Sequence, residues 1–115
     1  MHELSVLIEV VRIVEDIAQE QGIDEVEAIV LQVGDLSSVV PQFMEEYFSY
    51  VVDGKPRFEK ARLDIEIIQG MARCQNCETV FKVVENEGYC PNCHSFDKDL
   101  LSGQEFIIKE ILVPQ

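Results

Sequence analysis

Cys74-Gln75-Asn76-Cys77 and Cys90-Pro91-Asn92-Cys93, two Cys-x-x-Cys knuckles with twelve residues between them, decide how this chain of 115 residues is organised. Two residues between cysteines let both sulfurs turn toward one point. Two knuckles facing each other then supply four tetrahedral thiolates, the set that Zn²⁺ takes at about 2.3 Å. Four protein ligands close the coordination sphere, so such a site holds the local fold together and activates no water. Activity must therefore be sought elsewhere in the chain. Iron fits the same cage on spacing alone. Disulfides would need an oxidising compartment, whereas the chain opens Met1-His2-Glu3 with no basic start, long apolar run or cleavage site, which reads as cytoplasmic. A thioredoxin-like redox motif needs one knuckle at the head of a helix after a strand; here two copies flank a polar, hairpin-like stretch. His94 directly follows Cys93 and is an alternative ligand, but adjacent residues on one knuckle seldom bind the same ion, and a solvated His beside the site is the expected reading.

Outside the knuckles the chain alternates between helical and strand patterns. Leu4, Leu7, Ile8, Val11, Val14 and Ala18 recur at helical spacing, leaving Glu9, Arg12, Glu15 and Asp16 for solvent, and Gln21-Gly22 ends this helix as a glycine cap. Residues 25–33 are β-branched and bounded by Gly34, which predicts a buried strand. A second helix is expected from Pro41, with Phe43, Met44, Tyr47, Phe48 and Val51 inward, stopping at Asp53-Gly54. Residues 61–68 alternate as a half-buried strand, and 103–113 supply the last one. The cysteine segment thus lies between two strands. The expected fold class is α+β: residues 1–69 and 103–115 form a small mixed three-stranded sheet with two helices on one face, and 70–102 are an inserted zinc-ribbon subdomain. A strand, helix, strand unit gives a parallel crossover, and the strands flanking the insertion would most simply pair antiparallel.

Composition narrows function. Nine basic against 22 acidic residues give −13, and a zinc tetrathiolate takes the loaded chain to about −15. Between residues 71 and 100 the bases are Arg73, Lys82 and Lys98, against five carboxylates, so no phosphate-binding stripe exists and nucleic acid is excluded as a partner. No apolar run approaches the roughly 20 residues that span a bilayer, so no membrane role is expected. With all four cysteines committed and two histidines in the chain, no nucleophilic constellation can be assembled, and the protein reads as a non-enzyme.

His2 is the other candidate ligand. A histidine at the second position binds a divalent metal together with the Met1 amine and the intervening deprotonated amide, in fused chelate rings, and Glu3 adds its amide or carboxylate. Nitrogen-rich, square-planar coordination of this kind favours Ni(II) or Cu(II) over zinc and magnesium. An incidental early His is the competing reading from local sequence.

Taken together, Met1-His2-Glu3-Leu4-Ser5, Val33-Gly34-Asp35-Leu36-Ser37 and Cys74-x-x-Cys77 … Cys90-Pro91-x-Cys93-His94 resemble the HypA/HybF hydrogenase maturation proteins over essentially the whole chain. The resemblance implies a cytoplasmic nickel metallochaperone with a zinc-ribbon insertion. It implies Ni²⁺ as cargo at His2, Glu3 and the Met1 amine and backbone, and structural Zn²⁺ at Cys74, Cys77, Cys90 and Cys93. The implied partners are a HypB-type nickel GTPase and the [NiFe]-hydrogenase large subunit, with the protein a monomer or weak homodimer. One departure is that some members add a carboxylate to nickel from the turn before the second helix, where this chain has Ser37-Ser38-Val39-Val40; Asp35 and Glu45 are the neighbouring carboxylates in sequence. The competing functions are a zinc-ribbon protein-protein adaptor with no nickel role and a rubredoxin-like iron electron carrier.

Overall fold

The computed structural model describes residues 3–115, so Met1 and His2, two of the expected nickel ligands, lie outside the described residues. The elements run α1 (Glu3–Gln21), β1 (Ala28–Gly34), α2 (Pro41–Val51), a 3-10 turn (Pro56–Phe58), β2 (Arg62–Ile68), β3 (Met71–Cys74), β4 (Val80–Lys82), β5 (Lys98–Leu100) and β6 (Phe106–Leu112). They make two three-stranded sheets, ordered β2-β1-β6 and β4-β3-β5. The chain packs as two compact units. One comprises the described part of Met1–Leu31 with Val39–Glu66 and Ile107–Gln115; the other comprises Gln32–Ser38 and Ile67–Phe106. No helix among the described residues is long and apolar enough to cross a membrane.

In the first unit α1 ends as its sequence dictates. Gly22 adopts φ 69° and the Ile23 amide reaches back to the Ala18 carbonyl at 2.8 Å, closing the helix with a left-handed glycine. Its buried face is Leu7, Val10, Val11, Val14 and Ala18, while Leu4 and Ile8, expected inward, are 36% and 52% exposed. Apolar residues cover more than half of this helix's circumference, so periodicity establishes the helix and packing chooses the face. The same holds for α2, where Met44 and Phe48 are buried but Phe43 and Tyr47 are exposed.

The first sheet is mixed, with β1 between its two neighbours. Arg62 N–H donates to Glu27 O at one end and Asp35 N–H to Ile68 O at the other, so β2 runs parallel to β1. The bonds from Glu27 N–H to Leu112 O and from Gly34 N–H to Glu105 O make β6 antiparallel to it. The expectation that the strands flanking the insertion pair with each other is therefore corrected, since β1 separates them. Burial explains this: six of the seven β1 residues are buried, whereas β2 and β6 have no buried residue and suit the edges.

The 3-10 turn after α2 supplies Phe58, 1% exposed and the largest fully buried side chain, which periodicity did not reveal. Its neighbour Arg57 corrects the expectation that Glu15 faces solvent. The guanidinium donates to Glu15 Oε1 and to Ile23 O, each at 2.7 Å, with the two charged side chains only 19% and 31% exposed. Arg57→Ala leaves both acceptors half-buried and unpaired, and is expected to cost about 2 kcal/mol. Urea denaturation followed by helical circular dichroism checks this, and an unchanged midpoint would show that the pair is a surface ornament.

The second unit holds the ribbon. β3 pairs antiparallel with both β4 and β5, so that Ala72 lies opposite Phe81 on one side and Leu100 on the other. Ala72, Cys74, Phe81, Val83 and Cys90 form its buried core, with Leu36, Cys77 and Cys93 packed against them. The Gly34–Ser38 segment roots it. Asp35 Oδ1 accepts from Gly70 N–H at 2.8 Å, and Leu36 N–H donates to Gly103 O at 2.7 Å. The approach is close enough that a Cβ on Gly34 would lie 1.9 Å from Gly103 O, so only glycine fits there. The Gly34-Asp35-Leu36 motif is thus a socket for the two ends of the insertion.

Candidate metal centre

The four cysteines that the spacing singled out converge. Their sulfurs lie within 4.8 Å of one another, and the Cys74–Cys93 and Cys77–Cys90 sulfur pairs are each 3.5 Å apart. That is far beyond the ~2.05 Å of a disulfide. It is close to the ~3.8 Å edge of a tetrahedron whose sulfurs sit 2.3 Å from a central zinc. His94 is exposed and stands outside this sulfur cluster.

The two knuckles are built alike, which is why two short segments suffice. Cys74 N–H donates to Thr79 O and Cys90 N–H to Ser95 O, each at 2.9 Å. Glu78 N–H returns to Cys74 O and His94 N–H to Cys90 O, again at 2.9 Å. Both returning residues sit at φ 65°, a left-handed turn that non-glycine residues adopt only when held there. Within each knuckle the asparagine amide N–H points at the first sulfur, Asn76 to Cys74 and Asn92 to Cys90, both at 3.4 Å.

Side chains complete the sulfur environment. Asn76 Nδ2 lies 3.4 Å from Cys93 Sγ and Asn92 Nδ2 3.4 Å from Cys77 Sγ, so each asparagine reaches across to the opposite knuckle. The Thr79 hydroxyl is 3.2 Å from Cys77 Sγ. The Thr79 hydroxyl, the Asn92 amide and the Thr79 backbone together pull the Cys77 thiol down to about 5. The Asn76 amide and the Ser95 backbone lower Cys93 in the same way. The Cys77 backbone draws Cys74 down, yet burial and its sulfur neighbours leave it above its ordinary value. Cys77 is therefore held as the thiolate at neutral pH, the form that binds metal. The donor set fits a soft, tetrahedral divalent ion, with zinc the first match. Sequence reasoning passed over both asparagines, although a signal was present in the shared Cys-x-Asn-Cys pattern.

The ribbon's bases are engaged within the ribbon. Arg73 lies 3.5 Å from Asp99 and Lys82 lies 3.8 Å from Glu85, while Lys98 sits over the Phe96 ring at 3.5 Å. The other candidate site begins at α1. Glu3, the one expected nickel ligand among the described residues, accepts a hydrogen bond from Val40 N–H on its Oε2 at 3.0 Å, tying the start of α1 to the residue that opens α2. Asp35 is occupied by Gly70, and Glu45 is exposed on α2.

Comparisons with known proteins agree with this layout. The family model described as hydrogenase/urease nickel incorporation, metallochaperone, HypA matches residues 1–113. The hydrogenase maturation factor HypA of Geotalea uraniireducens is 38% identical over 113 residues, covering 98% of this chain and 99% of that protein. The HypA of Parabacteroides distasonis is 35% identical over 113 residues, covering 98% and 97%. A solution structure of the Ni metallochaperone HypA from Helicobacter pylori superposes with a TM-score of 0.66 at 24% identity, over 98% of this chain and 97% of that one, a likeness of fold.

Proposed function

We propose, from the premise that this chain belongs to the HypA family of hydrogenase/urease nickel-incorporation metallochaperones, that it loads Ni(II) at Met1-His2-Glu3 and delivers it to a [NiFe]-hydrogenase large subunit. Delivery runs with a HypB-type nickel GTPase, in the cytoplasm, where thiols stay reduced. As a metallochaperone the protein moves an ion and transforms no substrate. Residues 1–69 and 103–115 carry the nickel function. Residues 70–102 carry structural zinc on Cys74, Cys77, Cys90 and Cys93.

The observation that carries the nickel reading is the bond from Val40 N–H to the Glu3 carboxylate. Glu3 follows His2 in the sequence, and anchoring the Glu3 carboxylate at the opening of α2 fixes one candidate ligand beforehand, which lowers the entropy cost of assembling a chelate. The Met1 amine, the His2 amide and the imidazole supply nitrogens in one plane, the geometry Ni(II) prefers and zinc does not. Such a site has few enough ligands to release its ion to a partner.

Nickel titration of tag-free protein beside His2→Ala tests the proposal. His2 precedes the apolar pattern of α1, so the variant is expected to keep its helix content and its zinc while losing specific nickel binding, at least a hundredfold in affinity. Equal affinity in the two proteins would remove the amino-terminal site and leave the adaptor reading.

A further inference from the structure

We infer that Asn76 and Asn92 form a reciprocal clamp across the metal centre, each side-chain amide serving as the donor that shields and positions the partly exposed sulfur of the opposite knuckle. The inference rests on the reading of the four cysteines as zinc ligands.

Burial and donors divide the four sulfurs into two kinds. Cys74 and Cys90, the first of each knuckle, are 1% and 0% exposed and receive backbone N–H groups of their own knuckle, from Asn76 and Cys77 to Cys74 and from Asn92 to Cys90. Cys77 and Cys93, the second of each knuckle, are partly exposed and receive the cross-knuckle side-chain amides. The amides therefore face the two sulfurs that solvent and electrophiles reach. An electron-rich sulfur demands the nitrogen end of the amide toward it, because the carbonyl end would set acceptor against acceptor.

Charge makes the donors matter. Four thiolates around a divalent ion leave a net −2, inside a chain already at −13. The three ribbon bases face Asp99, Glu85 and the Phe96 ring, so dispersal of the sulfur charge falls to N–H and O–H groups. The side-chain bonds also do what the backbone bonds cannot: they join one knuckle to the other independently of the ion. Groups that orient and polarise metal ligands from outside the coordination sphere typically change metal affinity by about 10–100-fold when removed.

The clamp predicts an effect in trans. In the zinc-loaded full chain treated briefly with iodoacetamide, the singly alkylated species are mapped by mass spectrometry. Asn76→Ala is expected to raise modification at Cys93 several-fold with Cys77 unchanged. Asn92→Ala is expected to raise it at Cys77 by less, because the Thr79 hydroxyl remains. Zinc transfer from the double variant to a chromogenic chelator should be about 10–100-fold faster, and its Co(II) form should show sulfur-to-cobalt charge transfer at lower energy. An unchanged distribution, or modification rising on the substituted knuckle itself, overturns the clamp. Wild-type chain loaded with ¹¹³Cd covers the case in which a variant fails to fold: scalar coupling from the ion through sulfur to the Nδ2 protons of both asparagines is expected, and its absence overturns the proposal. Metal content separates the two levels. Less than one ion per wild-type chain rejects the four-cysteine centre and the clamp with it, whereas full content with no trans effect rejects the clamp alone.

Discussion

Cys93→Ala is expected to empty the metal centre and unfold residues 71–100 while the helical signal of the chain survives. The ribbon has strands of only four, three and three residues and five buried core residues, two of which are metal-centre cysteines. So small a core does not sustain itself. A structural zinc contributes on the order of 10–16 kcal/mol to such a module, so its loss is decisive there. The first unit has its own core, in which Leu7, Val11, Val14, Met44 and Phe58 are each at most 2% exposed, and it contains both helices. Metal analysis and hydrogen exchange check the prediction together, with Cys77→Ser as a second case. Full zinc retention in both variants would refute the four-cysteine assignment.

The second large effect tests a part of the nickel site that side-chain substitution cannot reach. Placing Gly-Ser before Met1 moves the terminal amine away and breaks the fused chelate, although His2 and Glu3 both remain. Nickel affinity is expected to fall by at least a hundredfold, about 2.8 kcal/mol at 1.4 kcal/mol per tenfold. Binding should also weaken as pH falls, because amine, amide and imidazole must each lose a proton to coordinate, so nickel uptake releases protons. Calorimetry in buffers of different ionisation enthalpy, on tag-free and extended chains, measures both quantities. Equal affinities with equal proton counts would make Met1 a bystander and leave His2 with carboxylates as the site.

The features readable in the chain are those written in local spacing. Two Cys-x-x-Cys knuckles specify four sulfurs around a point, and those sulfurs lie within 4.8 Å of one another. Apolar recurrence in α1 and the glycine after it specify a helix and its end, and Gly22 closes it as a left-handed cap. Alternating or continuous apolar runs marked the long strands to within a few residues. Each of these depends on neighbours only a few residues away, so the sequence alone carries the information.

Tertiary structure decided what depends on competition between distant segments. β1 took the centre of its sheet because it is the strand most costly to leave in water, which separated two strands that sequence order would have paired. Arg57 meets Glu15 across 42 positions, Glu3 meets Val40 across 37, and Asn92 meets Cys77 across 15. Hydrogen bonds of that span leave no period in the sequence. A polar side chain reads as solvated until the fold buries an acceptor beside it, and only then does satisfying that acceptor fix which carboxylate is anchored and which sulfur is shielded.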